Sequence, residues 1–438
     1  MQVVARGFVQ VRREAPGVVG AVTREDVAPP APFAAVEVDL DGNGGVLVAG
    51  LTTVDGDGVL ATCDTDTGRV TIELTEQGRS RTVRRTRADL DGVNTFAFAL
   101  CERQVTVLVR STEGWRPVLT ERRRLARRLD LRDPAALARH GYTWGVRSGR
   151  TTLAGVRAGL FGMTGLRDPH LVQHADGTPY VEDGRVLVTW TCAGLGGFAQ
   201  AHWGVFAHDL DDPTRMEQVA QIFSRRDGLV LGDHAGQLVR DGDRWHVVTS
   251  GWGDFGERGA RPHLRHLTTY ADLLHGVHVV DTEPTPLPTE HGSWDAVLTR
   301  VDGRWLLGFV ESPSQRPFDF HPALAATDDP DPWTGLRLAA SAPDLHQTEG
   351  PVLARLDGRW RLLASDGHAR EFPVFDLDLR RVGTLPAPYL SNIPHPQVLE
   401  RPDRPGSWWL LTFDGTRFDR RVMGYGGHGD VVVMSGHT

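Results

Sequence analysis

At 438 residues the chain is long enough for two or three separately cored domains, and its 40% hydrophobic and 24% charged content is that of an ordinary globular protein. A net charge of −8 argues against a nucleic-acid partner, which calls for a basic footprint. All 48 basic residues are Arg, so Lys-nucleophile and Schiff-base chemistry are excluded, covalent pyridoxal phosphate with them.

Residues 1 to about 30 alternate loosely and end in the Pro-rich Ala28-Pro29-Pro30-Ala31-Pro32, which reads as a loop. The opening MQVVARGFVQVRREAPG lacks the apolar segment and cleavage site of an export signal. The expected location is therefore cytoplasmic, or secreted if such a segment has been trimmed. No run approaches the ~20 apolar residues that span a bilayer, so no membrane association is expected. From Phe33 the pattern becomes strand, turn, strand: FAAVEVDL, GGVLVAGLTTV, GVLATCDT, GRVTIELTE, SRTVRRTRA, NTFAFALCE and RQVTVLVRS, separated by Gly-containing turns. Short strands at this spacing predict an antiparallel sandwich or barrel. A charged helix is expected from about Pro117 to His140, followed by the strands TWGVRSG and TTLAGVRAGLFG. Cys63, Cys101 and Cys192 are odd in number and far apart, giving neither a zinc pattern nor a disulfide framework; buried thiols are expected.

From about Gly165 one supersecondary unit recurs. Its copies begin RDPHLVQHADG, GDHAGQLVRDGDRWHVVTSG, SWDAVLTRVDGRWLLGFVES, TEGPVLARLDGRWRLLASDG and PHPQVLERPDRPGSWWLLTFDG. Each runs from a polar residue through an apolar strand and a turn to a second strand, with Trp245, Trp305, Trp360 and Trp408/Trp409 at equivalent places. Periodicity at this length points to a propeller or solenoid, and five copies predict five blades. The chain therefore reads as all-β, with a β-sandwich over residues 1–160 and a five-bladed β-propeller over 161–438. The innermost strand of a blade lines the central channel, so its entrance residue faces the axis. Asp168, Asp233 with His234, Asp295, Glu349 and His395, at intervals of 65, 62, 54 and 46 residues, are expected to converge on one funnel. Several carboxylates in one pocket raise one another's pKa values, which is how a carboxylic acid is kept protonated at neutral pH.

At these residues the repeat resembles the five-bladed propeller glycosidases of glycoside hydrolase family 43 and the related fructan- and arabinan-active groups. Their first Asp opens a blade-one strand, as Asp168-Pro169-His170 does. A second lies at the start of blade three, as Trp294-Asp295 does, and the acid Glu precedes Gly-Pro, as in Glu349-Gly350-Pro351. The resemblance implies hydrolysis of an arabinosyl-, xylosyl- or other small glycoside or oligosaccharide, with Asp168 as general base, Glu349 as general acid and Asp295 raising the pKa of Glu349. The fructan-active Asn-Asp-Pro-Asn-Gly signature is absent, which favours inversion of the anomeric centre. His395 holds the place of a fifth-blade His that binds a metal ion or water cluster, leaving room for a structural calcium in the channel; no cofactor is otherwise required. The first block resembles the concanavalin-like lectin sandwiches.

Trp252, Trp294 and Phe320, with Trp203, are candidates for stacking on a sugar ring; His234, His346 and His368 are candidate pocket histidines, and Asp233 a substrate ligand. Arg167-Asp168-Pro169 also resembles the tripeptide of glycoside phosphorylases. Glycosyl transfer, phosphorolysis, other biosynthetic chemistry and a carbohydrate-binding propeller without turnover therefore stay open.

Overall fold

The computed structural model describes residues 2–4, 12–14, 22–24 and 27–437, apart from 43, 214, 258 and 416–428. Every strand expected between Phe33 and Leu160 forms, and the strands assemble into two six-stranded antiparallel sheets. One sheet runs in the order 114–121, 104–111, 95–101, 33–41, 152–160, 12–14. The other runs 22–24, 141–149, 45–52, 58–64, 69–76, 79–87. Alternation decides what faces what. Ala34, Val36 and Val38, with Phe96, Phe98 and Leu100, point into the sandwich core. Phe33, Ala35, Ala97, Ala99 and Cys101, on the opposite face of the same strands, pack against Leu195, Phe223 and Val230 of the propeller. That sheet is buried on both faces, which is why its two central strands are almost wholly apolar, and the small residues on its outer face let the propeller approach closely.

The helix expected over about Pro117–His140 is not there. Gly114–Glu121 continues the first sheet as its edge strand, and the only helix in this stretch is the single turn Pro134–Leu137, capped by Asp133. The run of Arg, Ala and Leu has helical propensity, but pairing with the neighbouring strand and the Asp133-Pro134 start leave it no length in which to express it.

Five further sheets follow in chain order. Their innermost strands are Gly165–Leu171, His234–Asp241, Gly292–Val301, Thr348–Leu356 and Gln397–Glu400, and they form the five-bladed propeller. Asp-Gly hairpins at 183–184, 302–303 and 357–358 place both residues at positive φ, the geometry that suits the twist of paired strands. Beside the hairpins, cross-strand pairs repeat: Arg240 faces Trp245, Arg300 faces Trp305 and Arg355 faces Trp360. The Arg240 and Arg300 guanidinium groups lie 5.0 and 4.3 Å from their rings. The backbone of residues 2–4, expected within the sandwich, pairs instead with residues 430–432 of the last strand, in the fifth blade. All three cysteines are free and buried, and burial pushes the Cys63 and Cys101 thiols up to about 12. No helix among the described residues is long and apolar enough to cross a membrane.

A buried ionic cluster joins the two parts. Arg132, on the sandwich, meets Glu102 at 3.0 Å and Asp130 at 2.7 Å, and also contacts Glu257 on a propeller loop, where Arg103 adds a 2.8 Å contact. Burial raises Glu102 to about 7, with Arg103 and Arg132 opposing the rise. Arg132→Met would leave the Glu102 carboxylate, 1% exposed, with Arg103 as its remaining ion-pair partner and without the 3.0 Å contact to Arg132. A loss of about 3 kcal/mol or more is expected. Denaturation followed by tryptophan fluorescence should show a lowered midpoint, largely restored in the Glu102→Gln/Arg132→Met double variant.

Candidate active site

In four blades the inner strand carries the same irregularity. Its register with the second strand shifts between Arg167 and His170, His234 and Gln237, Trp294 and Val297, and Glu349 and Val352. The first residue inside each bulge has positive φ: Asp168 at 49°, Ala235 at 51°, Asp295 at 50° and Gly350 at 65°. A bulge adds a residue and re-aims the side chains beside it. Asp tolerates this left-handed conformation better than most residues, and such strain concentrates at functional sites. Gly350 is required twice over, since a Cβ there would lie 2.4 Å from the His395 ring carbons.

The bulges bring Asp168, Asp295 and Glu349 to one cavity of about 490 Å³, with Arg167, Gln347 and His395 beside them. That volume lies within the ~300–1,000 Å³ of small-molecule sites. Larger surface grooves of about 770 and 630 Å³ lie on the sandwich, away from these carboxylates. His395 Nε2 is 3.3 Å from Asp295 Oδ2 and 3.7 Å from Asp168 Oδ1. Arg167 Nε is 3.5 Å from Asp168 Oδ1, and its guanidinium lies over the Phe413 ring at 4.6 Å. Trp294 Nε1–H donates to Glu349 Oε2 at 3.1 Å, and the Asp295 backbone N–H donates to Ser250 Oγ at 2.9 Å.

Both members of the Asp295–Glu349 pair are pushed up. Burial is the largest cause for Glu349, which rises to about 7; Arg167 and the Trp294 hydrogen bond oppose the rise and Asp168 adds to it. Asp295 is raised well above the usual carboxylate range, by burial first and then by the Glu349 and Asp168 charges, with Arg167 and the Gly350 N–H acting against. The Glu349 charge thus raises Asp295, whereas Glu349 is raised by burial and Asp168 and not, as expected, by Asp295. Beneath them burial lowers His395 to about 4 and His170 to about 3, so both imidazoles are neutral near pH 7.

The remaining wall is aromatic. Phe198 stacks on Trp252 at 4.7 Å, Trp252 meets Trp294 at 5.4 Å, and Trp294 meets Phe320 edge-on at 5.3 Å. Phe318 and Ile393 complete it. His234 lies parallel to Trp252 at 6.1 Å, and its Nε2–H donates to the Phe198 carbonyl at 3.2 Å. A cavity lined by both carboxylates and aromatic rings suits a polyhydroxylated ring, whose C–H faces meet the rings while its oxygens meet the acids.

Of the sequence-expected residues, Asp168, His234, Trp252, Trp294, Asp295, Phe320, Glu349 and His395 line the cavity. Asp233 does not. Its carboxylate is buried in a two-point ion pair with Arg226, at 2.7 and 2.9 Å, and accepts the Gly253 N–H. The repeat position of Asp168 and Asp295 is taken in blade two by Ala235, two residues on. His346 and His368 are exposed: His346 Nδ1 pairs with Asp319 at 2.6 Å, and the His368 backbone caps onto Asp366. Trp203 is core, fully buried against Gly236. Arg167, Phe198, Phe318, Gln347, Asn392 and Ile393 line the cavity unforeseen. Arg167 alone had a signal, its place beside Asp168 in Arg-Asp-Pro. Among the described residues no group of three or more His, Cys, Asp or Glu side chains is arranged to hold a metal ion.

No family model and no curated protein matches the sequence. Among solved structures the chain is similar to a thermostable family-43 glycoside hydrolase (13% identity, 62% of this chain and 89% of that one, TM-score 0.42). It is also similar to a GH43_1 enzyme from Xanthomonas citri (14%, 61% and 87%, 0.42) and to an endo-arabinase from Bacteroides thetaiotaomicron (12%, 63% and 96%, 0.41). At these scores the likenesses decide nothing about this chain; the fold stands on its own sheets.

A raised carboxyl makes a pH-dependent stability prediction. Because Glu349 is harder to ionise folded than unfolded, its ionisation costs stability as pH climbs from the unfolded pKa, near 4.5, to about 7, and the cost is complete above that. Glu349→Gln should leave stability unchanged at pH 4 and raise it by on the order of 3 kcal/mol at pH 8. Denaturant titrations at the two pH values check this, and equal differences at both would refute it.

Proposed function

We propose that the chain is a glycoside hydrolase acting on a small glycoside or oligosaccharide of arabinosyl or xylosyl type, with inversion. The observation that carries this reading is Glu349: a carboxyl held near pKa 7, opening onto the same cavity as the Asp168 carboxylate and an aromatic wall. General-acid catalysis works best when the acid's pKa lies near the working pH.

In this reading the sugar ring stacks on the half-buried Phe198 and Phe318, which line the cavity with the buried Trp252 and Trp294. Trp294 occupies Glu349 Oε2 as a donor, which leaves Oε1 to carry the proton. Asp168 removes a proton from water as the water oxygen bonds to the anomeric carbon. The C–O bond to the leaving group breaks, and Glu349 gives its proton to the departing oxygen, so charge balances without a covalent intermediate. Arg167 supplies the counter-charge beside Asp168. Asp295, held by Ser250, the Gly350 N–H and His395, keeps a second carboxyl at the floor whose proton is coupled to that of Glu349. No step runs through a metal ion.

Glu349→Gln should lower kcat on an alkyl glycoside by about 10²–10⁴-fold. The loss should be much smaller on a dinitrophenyl glycoside, whose leaving group needs no proton; equal losses on both would remove Glu349 from the acid role. Asp168→Asn should lose both. Proton NMR of the first-formed product anomer reads the stereochemistry, and retention would overturn inversion. The acid must be protonated, so wild-type activity should fall as pH rises through about 7. Arg167 opposes the rise of Glu349, so Arg167→Met should move that alkaline limb to higher pH, visible in the kcat profile of whatever activity remains.

A further inference from the structure

The sandwich carries a feature that the funnel chemistry does not use. Strand 79–87 is the edge of one sheet and strand 114–121 the edge of the other, and the segment after Glu121 turns back between them. Two apolar anchors pin this shelf: Val83 on the edge strand and Leu125 on the returning segment, both in the sandwich core. The buried Glu121 carboxylate accepts the backbone N–H groups of Arg123 and Arg124, at 2.9 and 2.7 Å, which fixes the turn. The result is a groove of about 770 Å³ into which Arg84, Arg85, Arg122, Arg123, Arg124 and Arg127 project, all exposed. Arg81 and Arg128 extend it along the edge, where they share Glu76. Arg84 stands 3.8 Å from Glu121, and Arg124 donates to the Val83 carbonyl at 3.1 Å.

One or two charges suffice to keep an edge strand from pairing with another chain. Eight guanidinium groups around two carboxylates, in a protein of net charge −8, repel one another well beyond that need. Screening confines each charge to about 8–10 Å, so an anion at the groove meets the local positive field rather than the net negative one. Guanidinium forks match carboxylates two bonds at a time. The lining holds no aromatic ring, whereas proteins that grip single-stranded nucleic acid stack bases on such rings. We infer that this groove binds an acidic glycan, a polymer bearing sugar carboxylates, and holds it on the sandwich away from the funnel. The choice of a glycan among polyanions rests on the proposed glycosidase reading.

The experiment is binding of polygalacturonate oligomers to the full chain, followed by calorimetry at 50 and 200 mM NaCl, with neutral arabinan and a DNA duplex as comparators. Polygalacturonate should bind, weaken about tenfold at the higher salt, and lose at least about tenfold in affinity in the Arg85→Ser/Arg123→Ser/Arg127→Ser variant, whose exposed positions leave the core untouched. Glu349→Gln should bind as the unaltered chain does, which separates the groove from the funnel: turnover can fail while the groove binds, and the reverse. Absence of polygalacturonate binding, unchanged affinity in the triple variant, or tighter binding of the DNA duplex would each overturn the inference.

Discussion

Everything at the funnel depends on one backbone device, the two-residue bulge repeated in the inner strand of four blades. A regular strand would alternate its side chains between neighbouring blades and leave none aimed along the axis. Inserting a residue at positive φ breaks the alternation at the channel mouth and sends the side chains beside it towards the common centre. The four blades fill the device with three residue types: Asp in the first and third, Ala in the second, Gly in the fourth with Glu just before it. Their chemistry is therefore variable on a fixed geometry. The Gly350 position shows how tightly the centre closes, since the His395 ring occupies the space that any side chain would need.

Convergence creates an electrostatic problem that becomes the chemistry. Three carboxylates share a cavity with one guanidinium, and burial removes the water that would otherwise screen them. The consequence is a pair of raised acids, Asp295 and Glu349, above two imidazoles that burial keeps neutral. A site arranged for stability alone would have matched charges or none. Here the mismatch is tolerated because the surrounding sheets over-determine the backbone, and a proton held at neutral pH is what acid catalysis requires.

The sandwich enters this arrangement through its shape and its charges. Small residues on one face of its first sheet let it lie flat on the propeller, and the Arg132 cluster ties it to the loop bearing Glu257. Trp252 and Phe255 belong to that same loop, so the joint between the two parts lies directly behind the aromatic wall. The arginine-rich edges are built from other residues of the sandwich than this joint.

Much of the molecule was legible in the chain. Period-two alternation and Asp-Gly turns determine the strands from Phe33 to Leu160, because side-chain direction and hairpin geometry are local properties. The repeat of strand, hairpin and Trp determines the blades for the same reason. Asp-Pro, Trp-Asp and Glu-Gly-Pro at repeat starts singled out Asp168, Asp295 and Glu349. Local pattern was blind to register, so Asp233 appeared equivalent to Asp168 although the bulge places Ala235 there and leaves Asp233 paired with Arg226. It was also blind to contacts between distant loops, which is why Phe318, Gln347, Asn392 and Ile393 went unnoticed and His346 and His368 did not belong. The pairing of residues 2–4 with the last strand, and the strand in place of a helix at 114–121, likewise depend on partners remote in the chain. Sequence alone determined which residues alternate, turn and repeat; only the closed ring of sheets decided which of them meet, because that depends on where each strand's register is broken.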